Sequence, residues 1–419
     1  STEQSGIWIL PPKDFPEKYN LKGRYIKIPN NKTLYGMASA PRRFYFHLRA
    51  LMLKVGFEIS RFDECVFLWR VNGKLRGVAG YHVDDGLLSG DESFWQAMGK
   101  VATLLKFGTR KKKDFKFCGV RIRQYADFSV ELDQEDALNL IEPIPIKKGR
   151  PDSDPLTEAE VTQLRGRLGS LLYLTGNTRP FEAYAVSHIA GFVTEATVRE
   201  LKLINAVIKH AKATKHLHIH YKYRGGARPL LYTFCDSNFK RERDGGSQMG
   251  LLSVIGPPLD SKGSAPVEFL RYNSKRAKRV AHATLTAETL AATQALDQNT
   301  GTRLRLSEFE LDIEGVILTD CRSLFDGLYS MTGKTAEMLV PDFYELREAA
   351  MPWRFAHSDD YDGLPVELWW VPTELQLADN LTKLVTPSTK EFLRVLETGV
   401  MHLPRYERPR VAQRALQSF

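Results

Sequence analysis

Apolar and polar positions follow two rhythms along this chain, one strand-like and one helical, and the change between them comes in steps. From Gly6 to about Gln124 a helical segment, Pro41 to Val55, precedes the strand-like runs CVFLWRV (65–71) and LRGVAGYHV (75–83). Asn72-Gly73 between those runs predicts a tight hairpin, because both residues tolerate the left-handed backbone that such a turn needs. Pro143, Pro145, Pro151 and Pro155 then punctuate a stretch that cannot be one regular element. Two helical patterns follow, LTEAEVTQLRGRLGSLLYLTG (156–176) and TEATVRELKLINAVIKHAKAT (194–214). Each has a Thr at its start that can cap, and Thr157 with Glu160 forms a capping-box signature.

After Tyr221–Gly226, which reads as a linker, the order changes. Strands PLLYTFCD (229–236), QMGLLSVIG (248–256) and PVEFLRYNS (266–274) precede the helix TLTAETLAATQAL (284–296). Strand GVILTD (315–320), helical stretches at 322–330 and 341–350, strand VELWWVP (366–372) and a last helix ELQLADNLTKL (374–384) complete the series. Three strands followed by alternating helices and strands predict an α/β layout with a mixed sheet. The segment from about Thr386 reads as a peripheral helix or a mobile tail. No repeat of fixed period and no low-complexity linker stand out.

Composition narrows the partners. Of 419 residues, 43% are hydrophobic and 26% charged, which excludes disordered, collagen-like and disulfide-scaffold chains. At roughly 100–200 residues per domain the length suggests two to four domains. Fifty-nine Lys and Arg against fifty Asp and Glu give a net charge of +9, which favours a polyanionic partner, nucleic acid before membrane. Cys65, Cys118, Cys235 and Cys321 lie far apart without zinc-ligand spacing, so a reducing intracellular compartment is expected. No apolar run approaches the roughly 18 residues of a membrane span, and the first residues lack a secretory or transit layout.

Four acids in the last block hold the candidate chemistry. Asp236 ends the first strand there and Asp320 the fourth. Glu288 lies on a helix off the Leu285, Thr289, Ala292, Leu296 stripe, and Asp379 is near the start of the last helix. Strand ends and helix N-termini gather at one edge of an α/β sheet, so the four can converge on two magnesium ions. Taken singly, each has a plainer reading as a helix cap or a solvated side chain. Asp84-Asp85-Gly86 likewise reads either as a hairpin turn or as paired acids held out beside a primer terminus.

The order of the motifs resembles the reverse transcriptase and RNase H region of copia-type retrotransposon polyproteins. KTLYGMASAPRRFY (32–45), GFEISRFDECVFLWR (56–70), YHVDDGLLSG (81–90), KFCGVRIRQ (116–124) and LRGRLGSLLYLTGNTRP (164–180) resemble its polymerase segments in sequence order. CDSNF, LTAET, LTDCRSL and VPTELQLADNLTKL resemble its RNase H segments, so the resemblance runs from about Ile7 to Leu384. It implies a palm remnant with truncated fingers over 1–125, a mostly helical thumb or connection over 126–224, an RNase H-like mixed-sheet domain over 225–390 and a basic tail over 391–419. It also implies that Asp236, Glu288, Asp320 and Asp379 ligate Mg²⁺ (or Mn²⁺), while Asp84 and Asp85 form an incomplete polymerase site.

The departures from the family pattern are specific. The segment carrying the first polymerase aspartate would lie upstream of IWILPPKDF, and Asp14 is no substitute for it, so the chain alone is not expected to polymerise DNA. His82 stands where the family has Tyr, Phe181 and Thr289 replace an Asp and a Tyr, and the segment near Lys334 has no match. Lys275, Arg276, Lys278 and Arg279, just before the Glu288 helix, and with His82, fit a nucleic-acid groove, as does Arg110–Lys113; either run also reads as a solvated surface.

The function expected is cleavage of the RNA strand of RNA–DNA hybrids by two-metal hydrolysis. The alternative is a domesticated, non-catalytic remnant serving as a structural or RNA-binding subunit of a ribonucleoprotein or other complex. A further version has a second chain supplying the missing fingers. RNA–DNA hybrid or structured RNA is the partner in each, without membrane insertion.

Overall fold

The structure is a computed structural model, describing residues 8–10, 24–28, 34, 36–222, 228–239, 245–329, 340–351, 365–384 and 386–409. The chain divides into two compact units, Ser1–Arg110 and Lys111–Phe419.

In the first unit, β1 (Trp8–Ile9) pairs with β2 (Ile26–Lys27), and α1 (Ala40–Val55) follows. Proline opens α1 and Gly56 closes it in the left-handed conformation that glycine adopts without penalty. Strands β3 (Glu58–Ile59), β4 (Val66–Val71), β5 (Lys74–His82) and β6 (Asp85–Gly90) form an antiparallel sheet in that order, and α2 (Glu92–Leu104) completes the unit. The expected Asn72-Gly73 turn joins β4 to β5 with φ of 51° and 75°. Phe67, Ala79 and Tyr81 of the sheet bury themselves against Leu48 and Met52 of α1 and Phe94, Met98 and Val101 of α2. Gly77 and Gly90 face each other across β5 and β6, and a Cβ on either would stand 2.3–2.4 Å from the Phe94 ring. Only glycine lets that ring lie on the sheet.

The second unit begins with β7 (Asp114–Phe117), β8 (Val120–Gln124) and β9 (Val130–Asp133), an antiparallel meander that β10 (Ile219–Tyr221) joins beside β9. Between β9 and β10 come α3 (Glu135–Asn139), α4 (Glu158–Asn177), α5 (Ala183–Gly191) and α6 (Val198–Ala213). The Thr157–Glu160 capping box is present at the start of α4. Leu164, Leu168, Leu171 and Leu174, one stripe of α4, pack on Val186 and Ile189 of α5 and Leu201, Ile204 and Ile208 of α6.

A five-stranded mixed sheet follows, built from β11 (Leu230–Asn238), β12 (Gln248–Gly256), β14 (Glu268–Arg276), β15 (Glu314–Thr319) and β16 (Val366–Trp370) in the order β14-β12-β11-β15-β16. The β14-β12-β11 pairs are antiparallel, and β11-β15-β16 are parallel. Both faces are covered. Cys235, Met249 and Ile317 meet α7 (Thr284–Ser307), α8 (Arg322–Tyr329) and α9 (Val340–Ala350) on one side, while Phe234, Leu252 and Leu318 face the other. Two buried faces explain why these strands read as nearly continuous apolar runs.

Three elements depart from the sequence pattern. Helix α7 runs eleven residues beyond Leu296 because its buried face turns polar. There Asn299 donates to Leu231 O at 3.0 Å, and Arg303 donates to Ile313 O at 2.7 Å. The last expected helix is instead two 3-10 turns, Thr373–Leu375 and Leu377–Leu381. Gln376 interrupts them because its side chain reaches across the sheet to Cys235 O and Leu318 O, at 3.0 and 3.3 Å. The segment expected to be a peripheral helix or a mobile tail is a helix packed by one face on the sheet: α10 (Thr389–Thr398) buries Phe392, Val395 and Leu396, while Glu397, Thr398, Arg405 and Arg408 are exposed. Strand β17 (Val400–His402) then pairs with β13 (Ser264–Pro266). Among the described residues no helix is long and apolar enough to cross a membrane.

Candidate functional site

The sheet topology gathers the four acids of the last block. Asp236 is near the end of β11, which has a paired strand on each side, and is 2% exposed. Asp320 follows β15, the parallel neighbour, so the two strands deliver their carboxylates to the same edge. Glu288 lies in the second turn of α7, and Asp379, fully buried, sits in the second 3-10 turn. Carboxylate oxygens of Asp236, Glu288 and Asp320 all come within 4.8 Å of one another. Asp379 neighbours Asp236, and its Oδ1 accepts from Lys383. The Lys383 ammonium is 3.6 Å from Asp236 Oδ2, and the Thr382 hydroxyl donates to that same oxygen.

Crowding like charges out of water raises the cost of ionising them. Burial, then Asp236 and Asp320, pushes the Glu288 carboxyl far above the usual range, and burial with Asp236 raises Asp320 as well. Asp379 is pushed up to about 7 by burial and by Asp236, against the pull of Lys383. Burial alone would weaken the Lys383 ammonium, but Asp236 and Asp379 outweigh it and hold the group above its ordinary value.

The donor set suits a hard divalent cation. It is all carboxylate, without the imidazole or thiolate that softer metals prefer. Glu288 Oε2 and Asp379 Oδ2 are buried without a hydrogen-bond partner, a state that costs stability unless a cation or proton satisfies it.

The other candidate residues lie in different surroundings. His82, Asp84 and Asp85 are exposed at the β5–β6 turn, where His82 is in register with Asp85. Val83 at its tip has φ 56°, a strained conformation for a β-branched residue. Among the described residues, neither Asp84 nor Asp85 belongs to a set of three potential ligands. Asp14 and Lys334, and Lys32, Thr33 and Tyr35 of the first motif, lie outside the described residues.

Of the basic run, Lys275 and Lys278 are exposed, whereas Arg276 stacks 5.4 Å from the Phe192 ring. Arg279 is anchored to both oxygens of Asp342, at 2.8 and 3.0 Å. Arg110 likewise stacks on Trp95, and Lys111–Lys113 are exposed.

Sequence reasoning missed Thr382 and Lys383, although both lie in the quoted LADNLTKL motif three and four residues after Asp379. It also missed a second acid–imidazole cluster, Glu131, Asp133 and His218 on β9 and beside β10. There Arg123 bonds Glu131 and stands 2.8 Å from Asp133, so a guanidinium already fills the space a cation would take.

No family model matches the chain. Its relatives are retrovirus-related Pol polyproteins from plant transposons, in keeping with the motif order. It is 23% identical over 389 residues to that of transposon RE2 of Arabidopsis thaliana, covering 89% of this chain and 25% of the relative. To that of transposon TNT 1-94 of Nicotiana tabacum it is 23% identical over 411 residues, covering 91% and 29%. The chain thus spans a quarter to under a third of the curated relatives it matches. Among solved structures it is similar to a foamy viral protease-reverse transcriptase in complex with dsDNA, with TM-score 0.43 and 10% identity over 83% of this chain and 60% of that one. It is also similar to LC11-RNase H1 in complex with RNA/DNA hybrid, with TM-score 0.25 and 18% identity over 37% of this chain and 93% of that one.

Proposed function

We propose that this segment of a retrotransposon-type Pol polyprotein acts as an RNase H-type endonuclease, cutting the RNA strand of RNA–DNA hybrids at the Asp236 centre. The observation that carries the reading is the convergence of Asp236, Glu288 and Asp320 from three elements within 4.8 Å, beside the buried Asp379. In this reading Asp236, Glu288 and Asp320 would hold one divalent ion, and Asp236 with Asp379 would hold a second. Mg²⁺ or Mn²⁺, when bound, supplies the positive charge that activates water and steadies the leaving oxygen of a phosphodiester.

The chain's own part is geometric. Pairing with Gly250 of β12 fixes the Asp236 backbone, and Thr382 holds one of its carboxylate oxygens. Lys275 and Lys278 are free to reach phosphates, which gives sequence-blind, salt-dependent binding. Hybrid is then told from DNA duplex by groove shape and the 2′-hydroxyl of the cut strand. The working parts are a palm-like 1–125, a connection over 126–224 and the nuclease from 225 onward. DNA synthesis is not assigned to the described residues, where Asp84 and Asp85 meet no third ligand.

The test is hydrolysis of an end-labelled hybrid by the purified chain, with and without Mg²⁺. Metal-dependent cuts leaving 3′-hydroxyl and 5′-phosphate ends, absent in Asp236→Asn, are expected. Tight hybrid binding without any cleavage would favour instead a non-catalytic, RNA-binding remnant.

A further inference from the structure

The acidic centre contains a cation of its own. Lys383, four residues after Asp379, pairs with Asp379 Oδ1 and stands 3.6 Å from Asp236 Oδ2. Asp236 is also the shared member of the triad with Glu288 and Asp320. Asp236 therefore faces two cation positions, one bounded by Glu288 and Asp320, the other by Asp379. The ammonium pairs directly with the second, at Asp379 and Asp236, and acts on Glu288 and Asp320 only from farther off, where Glu288 Oε2 has no hydrogen-bond partner.

Mobility is unequal across the pair. The Asp379 side chain is 0% exposed and cannot leave, whereas that of Lys383 is 26% exposed on a flexible stem and can swing toward water.

We propose that Lys383 is the resident counter-ion of the second cation position, so that divalent ions fill the centre in order. The triad loads first, and the Asp236–Asp379 position loads only as the Lys383 ammonium is displaced. Lys383 then keeps Asp379 paired whenever the second ion is absent, and sets how much free metal the complete site requires. This inference rests on the reading of the centre as a divalent-metal site.

The experiment is Mn²⁺ titration of the purified chain, followed by calorimetry and by the paramagnetic resonance of free Mn²⁺. Two steps are expected in the wild-type chain, the second weaker. Lys383→Gln should tighten the second step about tenfold or more with little change in the first, since it removes a competing positive charge. Lys383→Arg, which keeps the charge, should restore the weak second step.

A second measurement needs no variant. The Lys383 side-chain ammonium signal in a ¹H–¹⁵N spectrum should survive the first equivalent of Mg²⁺ and vanish with the second. An unchanged second step in Lys383→Gln, or an ammonium signal that persists at saturating Mg²⁺, overturns the proposal. Absence of any Mn²⁺ binding sensitive to Asp236→Asn would instead overturn the metal-site reading beneath it.

Discussion

Two pairs of acids at strand ends, Asp84–Asp85 in the first unit and Asp236–Asp320 in the second, invite direct comparison. The first pair is contiguous in sequence and exposed at a hairpin tip, where solvent screens each carboxylate. The second is assembled from parallel strands 84 residues apart, joined by Glu288 from a helix, and largely withdrawn from water. The same residue type at the same kind of location thus meets opposite electrostatics. Concentrated negative charge that needs a cation arises where distant elements converge and water is excluded, not where acids merely adjoin in sequence.

The most forceful way to break this contrast is to neutralise one acid on each side. Asp236→Asn is expected to lower hybrid cleavage by about 10²-fold or more, whereas Asp85→Asn leaves the rate within about twofold, as initial rates on a labelled hybrid would register. Equal losses would end the distinction. The first unit has its own vulnerable point in the glycines under Phe94. Gly77→Ala should destabilise that unit by about 1–3 kcal/mol in chemical denaturation, because the ring has to leave the sheet, while metal binding in the second unit stays intact.

Acid should act on the two regions with opposite sign. Folding raises Asp379 to about 7, so between its ordinary value and about 7 the folded chain holds a proton that the unfolded chain releases. Its contribution favours the fold at low pH and is lost as pH rises through about 7 in metal-free protein. Asp91, whose carboxylate caps α2 and accepts from Ser93 and the Phe94 amide, is held below its ordinary value. That contribution is present above the ordinary value and is lost as pH falls through the lowered one. Thermal midpoints of metal-free protein at about pH 5 and about pH 8 should therefore lie closer together in Asp379→Asn, with Glu288 and Asp320 keeping part of the dependence, and a pH dependence unaltered by that change would contradict the assignment. The smallest effect is expected at the hairpin tip, where Val83→Gly removes a strained φ and should stabilise the first unit by about 0.5–1 kcal/mol in the same denaturation assay.

Legibility in the sequence followed the local character of each feature. The Asn72-Gly73 turn and the Thr157 capping box are set by residues within one turn of chain, and both formed where the pattern indicated. Asp236 and Asp320 were readable because each ends a strong apolar run, within β11 and just after β15. The meander β7 to β10 was hidden: one face displays Arg123, Glu131, Asp133, His218 and His220, whose mutual ion pairs replace the apolar pattern that would mark a sheet. Thr382 and Lys383 were hidden by the opposite failing. ELQLADNLTKL has an acceptable helical rhythm, yet docking of Leu375, Leu377, Ala378 and Leu381 and the two Gln376 hydrogen bonds force 3-10 turns that carry Lys383 back to Asp236. Local propensity gave way to tertiary packing there.

The packing of α10 and β17 against the sheet bears on how damage to the coding sequence would be felt. Phe392, Val395, Leu396 and Met401 fill the face of the sheet opposite α7, each worth about 1.5–3 kcal/mol of burial. A premature stop codon between Lys383 and Phe392 would therefore spare every acid of the centre and still strip the apolar cover from one face of the sheet that carries Asp236.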